Sequence, residues 1–384
     1  MKAIAVIGAA FGDEGKGRMV HYFSSQTNDP AIVVRYNGGA QAGHTVVRDD
    51  GLGYIFHHFG SGTLVGTPTY LSRFFITNPL LWHAENNELH KLSINPILFV
   101  HPDAPVSTPY DMLLNRETEL QRGTRRHGSC GYGINETVHR LCESEHPLFV
   151  RDIGTFDFKR KVEAIRSKYI PQRLAKLKIA PPSKEFQEAL ASPALLDEFL
   201  YESSNMLSCA GTFTDYDLRR FSTVIFEGAQ GLGLDEKHKF FPHVTRSKTG
   251  LANIVNICKG ADINGIEAVY VTRTYTTRHG AGPFPTEVIG LQYIDRTNVK
   301  NDWQGSLRFG HLDIDLIKDN VKKDLHHARK LNTSVSIAIT CLDQVDDPVT
   351  ISFQHKVMQT SRENICLVAA SAIGATKVYR TSKP

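Results

Sequence analysis

The residues best suited to chemistry crowd the start of the chain: Asp13, Glu14 and Lys16 lie within Gly8-Ala9-Ala10-Phe11-Gly12-Asp13-Glu14-Gly15-Lys16-Gly17. A β-branched run precedes this glycine loop, and an apolar helix start, Arg18-Met19-Val20, follows it. Strand, glycine loop and helix in that order aim backbone N–H groups and a helix N-terminus at one point, which suits a phosphate. Lys16 would add a mobile positive charge there. The pattern is not Walker A, which needs Gly at 10 and Ser or Thr at 17, where Ala10 and Gly17 stand. Nor is it the dinucleotide fingerprint. Acids beside a phosphate cradle repel it unless a metal or a proton transfer employs them, so Asp13 is a candidate magnesium ligand or base. A charged, capped loop is the plainer alternative.

Such a loop needs a sheet behind it. Short β-branched runs at 3–8, 31–36, 223–227, 268–274 and 335–340 recur between helical patterns and are apolar on both faces, as a buried parallel sheet requires. Helical pattern fills 156–207, broken near Pro171 and Pro181-Pro182. A second amphipathic stretch spans 313–331, with Leu316, Ile317, Val321, Leu325 and Ala328 at helical spacing. The expected fold class is α/β, with a mainly parallel central sheet, helices on both faces and an inserted helical lobe. No composition shift marks a linker, so residues 1–384 read as one domain with the helical insertion at 156–207.

Composition narrows the partners. With 384 residues, 41% of them hydrophobic, the chain can bury a sizeable core. A net charge of +4 suits an anionic small molecule and falls short of a nucleic-acid footprint. No apolar stretch has the length of a membrane span, and the first residues read as a strand, not a signal peptide. Cysteines 130, 142, 209, 258, 341 and 366 form no C-x-x-C pair, which fits a reducing cytoplasm.

Four segments carry a resemblance. Phe11–Gly17 looks like the Q-W-G-D-E-G-K-G signature of the adenylosuccinate synthetase family; Asn37-Gly38-Gly39-Ala40-Gln41-Ala42-Gly43-His44-Thr45 resembles its G-G-x-N-A-G-H-T segment. Phe226-Glu227-Gly228-Ala229-Gln230-Gly231 matches F-E-G-A-Q-G, and 277–287 matches T-R-V-G-A-G-P-F-P-T-E with His279 as the one change. The resemblance implies a carbon–nitrogen ligase that joins L-aspartate to a 6-oxopurine nucleoside monophosphate, driven by a nucleoside triphosphate with Mg²⁺. Asp13 would take the purine N1 proton, and His44 would donate to the transferring γ-phosphoryl group. Lys16 would stabilise its charge and Gln230 orient the base. Mg²⁺ would sit on Asp13 and the Gly43 carbonyl. Gly12, Glu14, Gly15, Gly17 and Gln41 would contact nucleotide or phosphate. Ser129 and Cys130 stand in a segment similar to G-T-T-G-R-G-I-G, and Thr245 in one similar to Y-P-Y-V-T; both imply phosphate contacts. Arg140 would reach the neighbouring subunit's site, which implies a homodimer. A P-loop-like nucleotide kinase is the rival class.

The departures bear on the substrate. The family's aspartate loop, T-T-G-R-R-R-R-x-G-W-L-D, reads 303–313 here and keeps only Arg308 of its arginines, leaving Ser306, Gln304 or backbone to help hold aspartate. Arginine of that run and the residue now His279 approach the ribose, so both changes weaken a 2′-hydroxyl site. They resemble the phage branch, N6-succino-2-amino-2′-deoxyadenylate synthase, which adds aspartate to dGMP for 2-aminoadenine DNA; its best-known members have serine where this chain has Asp13. The implied substrate is dGMP, with IMP, and hence adenylosuccinate, as the alternative. A phage-encoded enzyme would act in the host cytoplasm. Thr340-Cys341-Leu342-Asp343 resembles T-K-L-D, in which Asp343 would read a guanine; phage relatives use ATP or dATP, so the donor is ATP, dATP or GTP.

Overall fold

The computed structural model describes residues 1–48, 50–123, 126, 128–295, 305–341 and 344, and, as strand backbone, 350–353, 356–359, 365–369 and 378–380. A central sheet of ten strands runs, in spatial order, Val378–Arg380, Ile365–Ala369, Asn332–Thr340, Gly265–Arg273, Lys2–Gly8, Thr223–Gly231, Ala31–Arg35, Thr69–Leu71, Leu98–Val100 and Gly211–Thr212. Every pairing from Asn332–Thr340 to Gly211–Thr212 is parallel, and the two strands beyond Asn332–Thr340 are antiparallel. The protein therefore has the expected α/β class.

Alternation along the strands explains the layers. Ile4, Val6, Val33, Ile225 and Val269 meet Met19, Val20 and Phe23 of the helix Lys16–Ser25 on one face. Ala5, Ile7, Ile32, Val34, Val224 and Phe226 meet Leu251, Ile254 and Ile257 of the helix Leu251–Gly260 on the other, with Ile317 and Val321 of Ile314–Leu325. The strand Thr223–Gly231 is buried along almost its whole length, as a central parallel strand must be.

Between 158 and 209 lie the helices Phe158–Ala164, Ile170–Leu177, Lys184–Ala191 and Pro193–Cys209. Near Pro171 the α-helix is interrupted but the chain stays helical: a π-helical turn, Ile165–Tyr169, runs straight into Ile170–Leu177 and accommodates the proline's missing N–H. The later amphipathic stretch is helical only over Ile314–Leu325 and tightens into a 3₁₀ turn at His326–Ala328.

Candidate active site

Parallel strands bring their carboxyl ends to one edge, where open α/β sheets bind ligands. The loops after Gly8, Arg35, Gly231, Arg273 and Thr340 all emerge there. They hold the glycine loop by its carbonyls. Asn320 Nδ2 donates to Ala9 O at 3.0 Å, Gly233 N to Ala10 O at 2.7 Å, Thr277 Oγ1 to Gly12 O at 3.3 Å and Thr340 Oγ1 to Glu14 O at 2.8 Å. Arg273 Nε donates to Asp13 O.

Within the loop the two acids part company. Glu14 is buried beneath it: Oε1 accepts from Ala10 N and Gly12 N at 3.1 and 2.8 Å, and Oε2 pairs with Lys16 Nζ at 2.7 Å. A Cβ on Gly8 or Gly231 would lie 2.4 or 2.6 Å from that carboxylate, so both positions must be glycine. This corrects the expectation of a mobile Lys16, whose ammonium is fixed by Glu14 with two of its three N–H groups still unassigned among the described residues. Asp13, by contrast, is 26% exposed, with Oδ2 3.5 Å from His279 Nε2. Its φ of 60° and the 66° of Gln230 put both in the left-handed region that side chains rarely adopt. Gln230 lies against the loop: a Cβ on Gly12 would come 3.4 Å from its Oε1.

His44 opens the hairpin strand His44–Val47 and packs against the first turn of the glycine-loop helix, where a Cβ on Gly17 would come 3.0 Å from the His44 Cβ. Its Nδ1 lies 2.5 Å from Glu227 Oε1, while Nε2 is buried and without a hydrogen bond among the described residues. Glu227 is fully buried and also accepts from Ser61 N at 2.9 Å and Ser61 Oγ at 2.5 Å, with Arg35 Nη1 at 3.8 Å. Burial pushes the His44 imidazole down to about 4, against the pull of Glu227. Burial works to raise Glu227, but His44, Arg35 and the hydrogen bonds hold it at about 2. An ionised Glu227 only accepts, so His44 donates through Nδ1. Glu227, Ser61 and Arg35 had no role in the sequence reading; an acid inside an otherwise apolar strand was the available signal.

The segments expected to hold phosphate are each tied to their own neighbours. Asn37 exchanges bonds with Ala229, donating to its O at 3.0 Å and accepting from its N at 2.8 Å, and Ser247 Oγ accepts from Asn37 Nδ2 and Gly38 N. Thr245 enters this corner with its N bonded to Leu234 O at 2.8 Å. Both amide atoms of Gln41 are buried and unbonded among the described residues. Ser129 Oγ donates to Asn115 Oδ1 at 2.8 Å, desolvation pushes the Cys130 thiol up to about 11, and a Cβ on Gly128 would lie 3.0 Å from Gly280 Cα. The helices Lys16–Ser25 and Ile134–Glu143 begin here on Gly15 and Gly133 with no side-chain cap, so their N-termini are open to an anion.

Two expected contacts are corrected. Arg140 is fully buried and clamps Asp111 through Nε and Nη2, both at 2.9 Å, while Nη1 and Nη2 bind the carbonyls of His146 and Val106. Arg308 spends four N–H groups on Glu287 and on the carbonyls of Gly280 and Gly282, so it braces the 280s loop instead of standing free for aspartate. Ser306 is exposed. Gln304 and Asp343 lie outside the described residues.

Asp13 offers a hard oxygen donor at the partly exposed centre of the edge, and the Gly43 backbone is exposed nearby in sequence to His44. No group of three or more His, Cys, Asp or Glu among the described residues could hold a metal. One carboxylate and a carbonyl suit Mg²⁺ that takes its other ligands from phosphate and water. Nor is any described helix long and apolar enough to cross a membrane.

The family model described as adenylosuccinate synthetase matches residues 5–383. The chain is 30% identical over 369 residues to adenylosuccinate synthetase of Buchnera aphidicola subsp. Schizaphis graminum, covering 94% of this chain and 82% of that protein. It is 32% identical over 297 residues to that of Gloeothece citriformis, covering 76% of this chain and 63% of that protein. Its fold is similar to the fully ligated Plasmodium falciparum adenylosuccinate synthetase, with a TM-score of 0.66 at 20% identity over 94% of this chain and 83% of that one. It is also similar to cyanophage S-2L succinoaminodeoxyadenylate synthetase bound to dGMP and dATP, with a TM-score of 0.54 at 15% identity over 87% and 92%. The chain belongs to the adenylosuccinate synthetase family, a family of ligases that form carbon–nitrogen bonds.

Proposed function

We propose that the chain condenses L-aspartate with dGMP to give 2-amino-2′-deoxyadenylosuccinate, with ATP or dATP as donor and GTP as the alternative. The observation that carries the condensation chemistry is Asp13, which the loop leaves partly exposed while it buries Glu14; the choice of dGMP rests instead on His279, where the family pattern has an apolar residue, and on the reduced arginine run. Asp13 takes the proton from purine N1, and the electron pair passes to O6, which attacks the γ-phosphorus as the nucleoside diphosphate leaves. The aspartate amine then adds at C6, loses a proton, and expels phosphate. The two remaining Lys16 N–H groups face the transferring group, where fixed donors stabilise developing charge, and His44 Nε2, whose partner nitrogen gives its proton to Glu227, donates there only as the imidazolium. Gln230 orients the base, while Gln41, Ser129 and Thr245 hold the monophosphate. Asp13 and the Gly43 carbonyl would hold Mg²⁺, which neutralises phosphate charge when bound. The cyanophage protein of similar fold binds dGMP, which is consistent with this choice. We place the enzyme in the cytoplasm as a homodimer, without Arg140 at the shared site.

The test offers purified enzyme dGMP, GMP or IMP with each donor, with and without aspartate. Aspartate-dependent triphosphate consumption fastest with dGMP is expected. Turnover of IMP alone would overturn the dGMP assignment, and consumption without aspartate would indicate a kinase.

A further inference from the structure

Behind His44 lies a buried carboxylate, Glu227. Glu227 stands in the middle of the sheet, between Val6 on one side and Arg35 on the other in register. Burying an ionised carboxylate there costs several kcal/mol unless every oxygen finds donors. Ser61 supplies two, and the Arg35 guanidinium stands 3.8 Å away as an ion pair without a hydrogen bond, which could already hold a structural carboxylate. Yet the His44 bond, at 2.5 Å, is as short as that from Ser61 Oγ, and it spans 183 residues of sequence.

We propose that Glu227 is a positioning residue: it locks the His44 ring through Nδ1–H so that Nε2 faces the transferring phosphoryl group. An imidazole has two chemically distinct nitrogens, and the bond made by one decides where the other points. Here one nitrogen is tied to Glu227 and the other, equally buried, has no hydrogen bond among the described residues. Ser61 fixes the carboxylate in turn, and its Oγ lies where a Cβ on Gly17 would come within 2.9 Å, so the whole relay abuts the glycine-loop helix. The role assigned to Nε2 rests on the proposed phosphoryl transfer; the locked ring does not.

Glu227→Gln keeps the shape and removes the charge; Glu227→Asp keeps the charge and withdraws it by one methylene. Per folded molecule, Glu227→Gln should lower kcat about a hundredfold, as loss of an imidazole's orienting partner does. The KM values for monophosphate and triphosphate should stay within about threefold, because ring orientation acts on the transfer step and not on uniform binding. Glu227→Asp should recover part of kcat. A merely structural Glu227 would instead lower the folded fraction and leave kcat per folded molecule unchanged, which overturns the proposal. Nuclear magnetic resonance of the parent protein supplies the second measurement: a far-downfield imidazole N–H signal that disappears in His44→Gln. Its absence from the parent overturns the locked ring even if no variant folds. If the signal is present but no purine nucleotide is turned over, the proposed reaction fails while the positioning stands.

Discussion

Glu14 Oε2 lies 2.7 Å from Lys16 Nζ, and both side chains are almost fully buried beneath the loop they were expected to arm. Removing either partner leaves a buried charge alone, which costs about 3–5 kcal/mol. Glu14→Gln and Lys16→Met should each lower the urea midpoint clearly, Glu14→Gln more, because Glu14 also holds Ala10 N and Gly12 N. The double substitution should be less destabilising than the sum. Strict additivity in equilibrium unfolding would show that the pair is not coupled.

Asp13 works against its own backbone. Its φ of 60° favours glycine, and such a residue costs about 1 kcal/mol or more. Asp13→Gly should therefore raise the thermal midpoint slightly while condensation falls by about 10²–10⁴. Paired thermal melts and product assays check this; full-speed condensation would remove Asp13 from the chemistry.

The strands and the glycine loop were legible because they depend on local pattern. Residues 223–227 read as a strand since both faces are apolar, and the structure extends it to Gly231. Thr69–Leu71, Leu98–Val100 and Gly211–Thr212 were not legible. Runs of two or three residues have no periodicity, and the sheet edge alone makes them strands. The fates of Lys16, Arg140 and Arg308 were equally hidden, because a motif gives a residue's type but not which acid has folded against it.

Gln41 presents two buried amide atoms with nothing bonded to them among the described residues. A buried unpaired amide destabilises the unliganded fold by about 1–3 kcal/mol. Gln41→Leu should thus leave stability unchanged or improved and raise the KM for the monophosphate about tenfold or more. Calorimetric titration with the monophosphate reads the loss directly, and unchanged affinity would place Gln41 outside the binding site.

Arg140 should act on folding alone. Arg140→Ala isolates the buried Asp111 carboxylate and should cost about 3–5 kcal/mol in chemical denaturation. Mixing it with Asp13→Gly should give no more activity than the two proteins measured apart, since neither subunit repairs the other. Recovered activity in the mixture would return Arg140 to a shared site.

Asp324 titrates where stability is easily measured. Burial raises its carboxyl from 3.8 to about 7, with Leu251 N at 2.8 Å and Tyr270 OH at 3.0 Å opposing. Between those values the folded chain keeps a proton that the unfolded chain has lost, so stability falls as pH rises from about 4 to about 7, by up to about 1.4 kcal/mol per unit. Below that window both states are protonated, and above it both are ionised. Asp324→Asn should flatten the slope, as urea midpoints at pH 5 and pH 8 would reveal.

The sheet places Thr223–Gly231 between Lys2–Gly8 and Ala31–Arg35. During synthesis the first two strands made must wait, unpaired with each other, for a partner that leaves the ribosome long afterwards. Until then the nascent chain carries two open apolar strand edges, the state that chaperones shelter and that otherwise self-associates. A fragment ending before residue 223 is for this reason an aggregation hazard, not a small phosphate-binding domain, even though it contains the entire glycine loop.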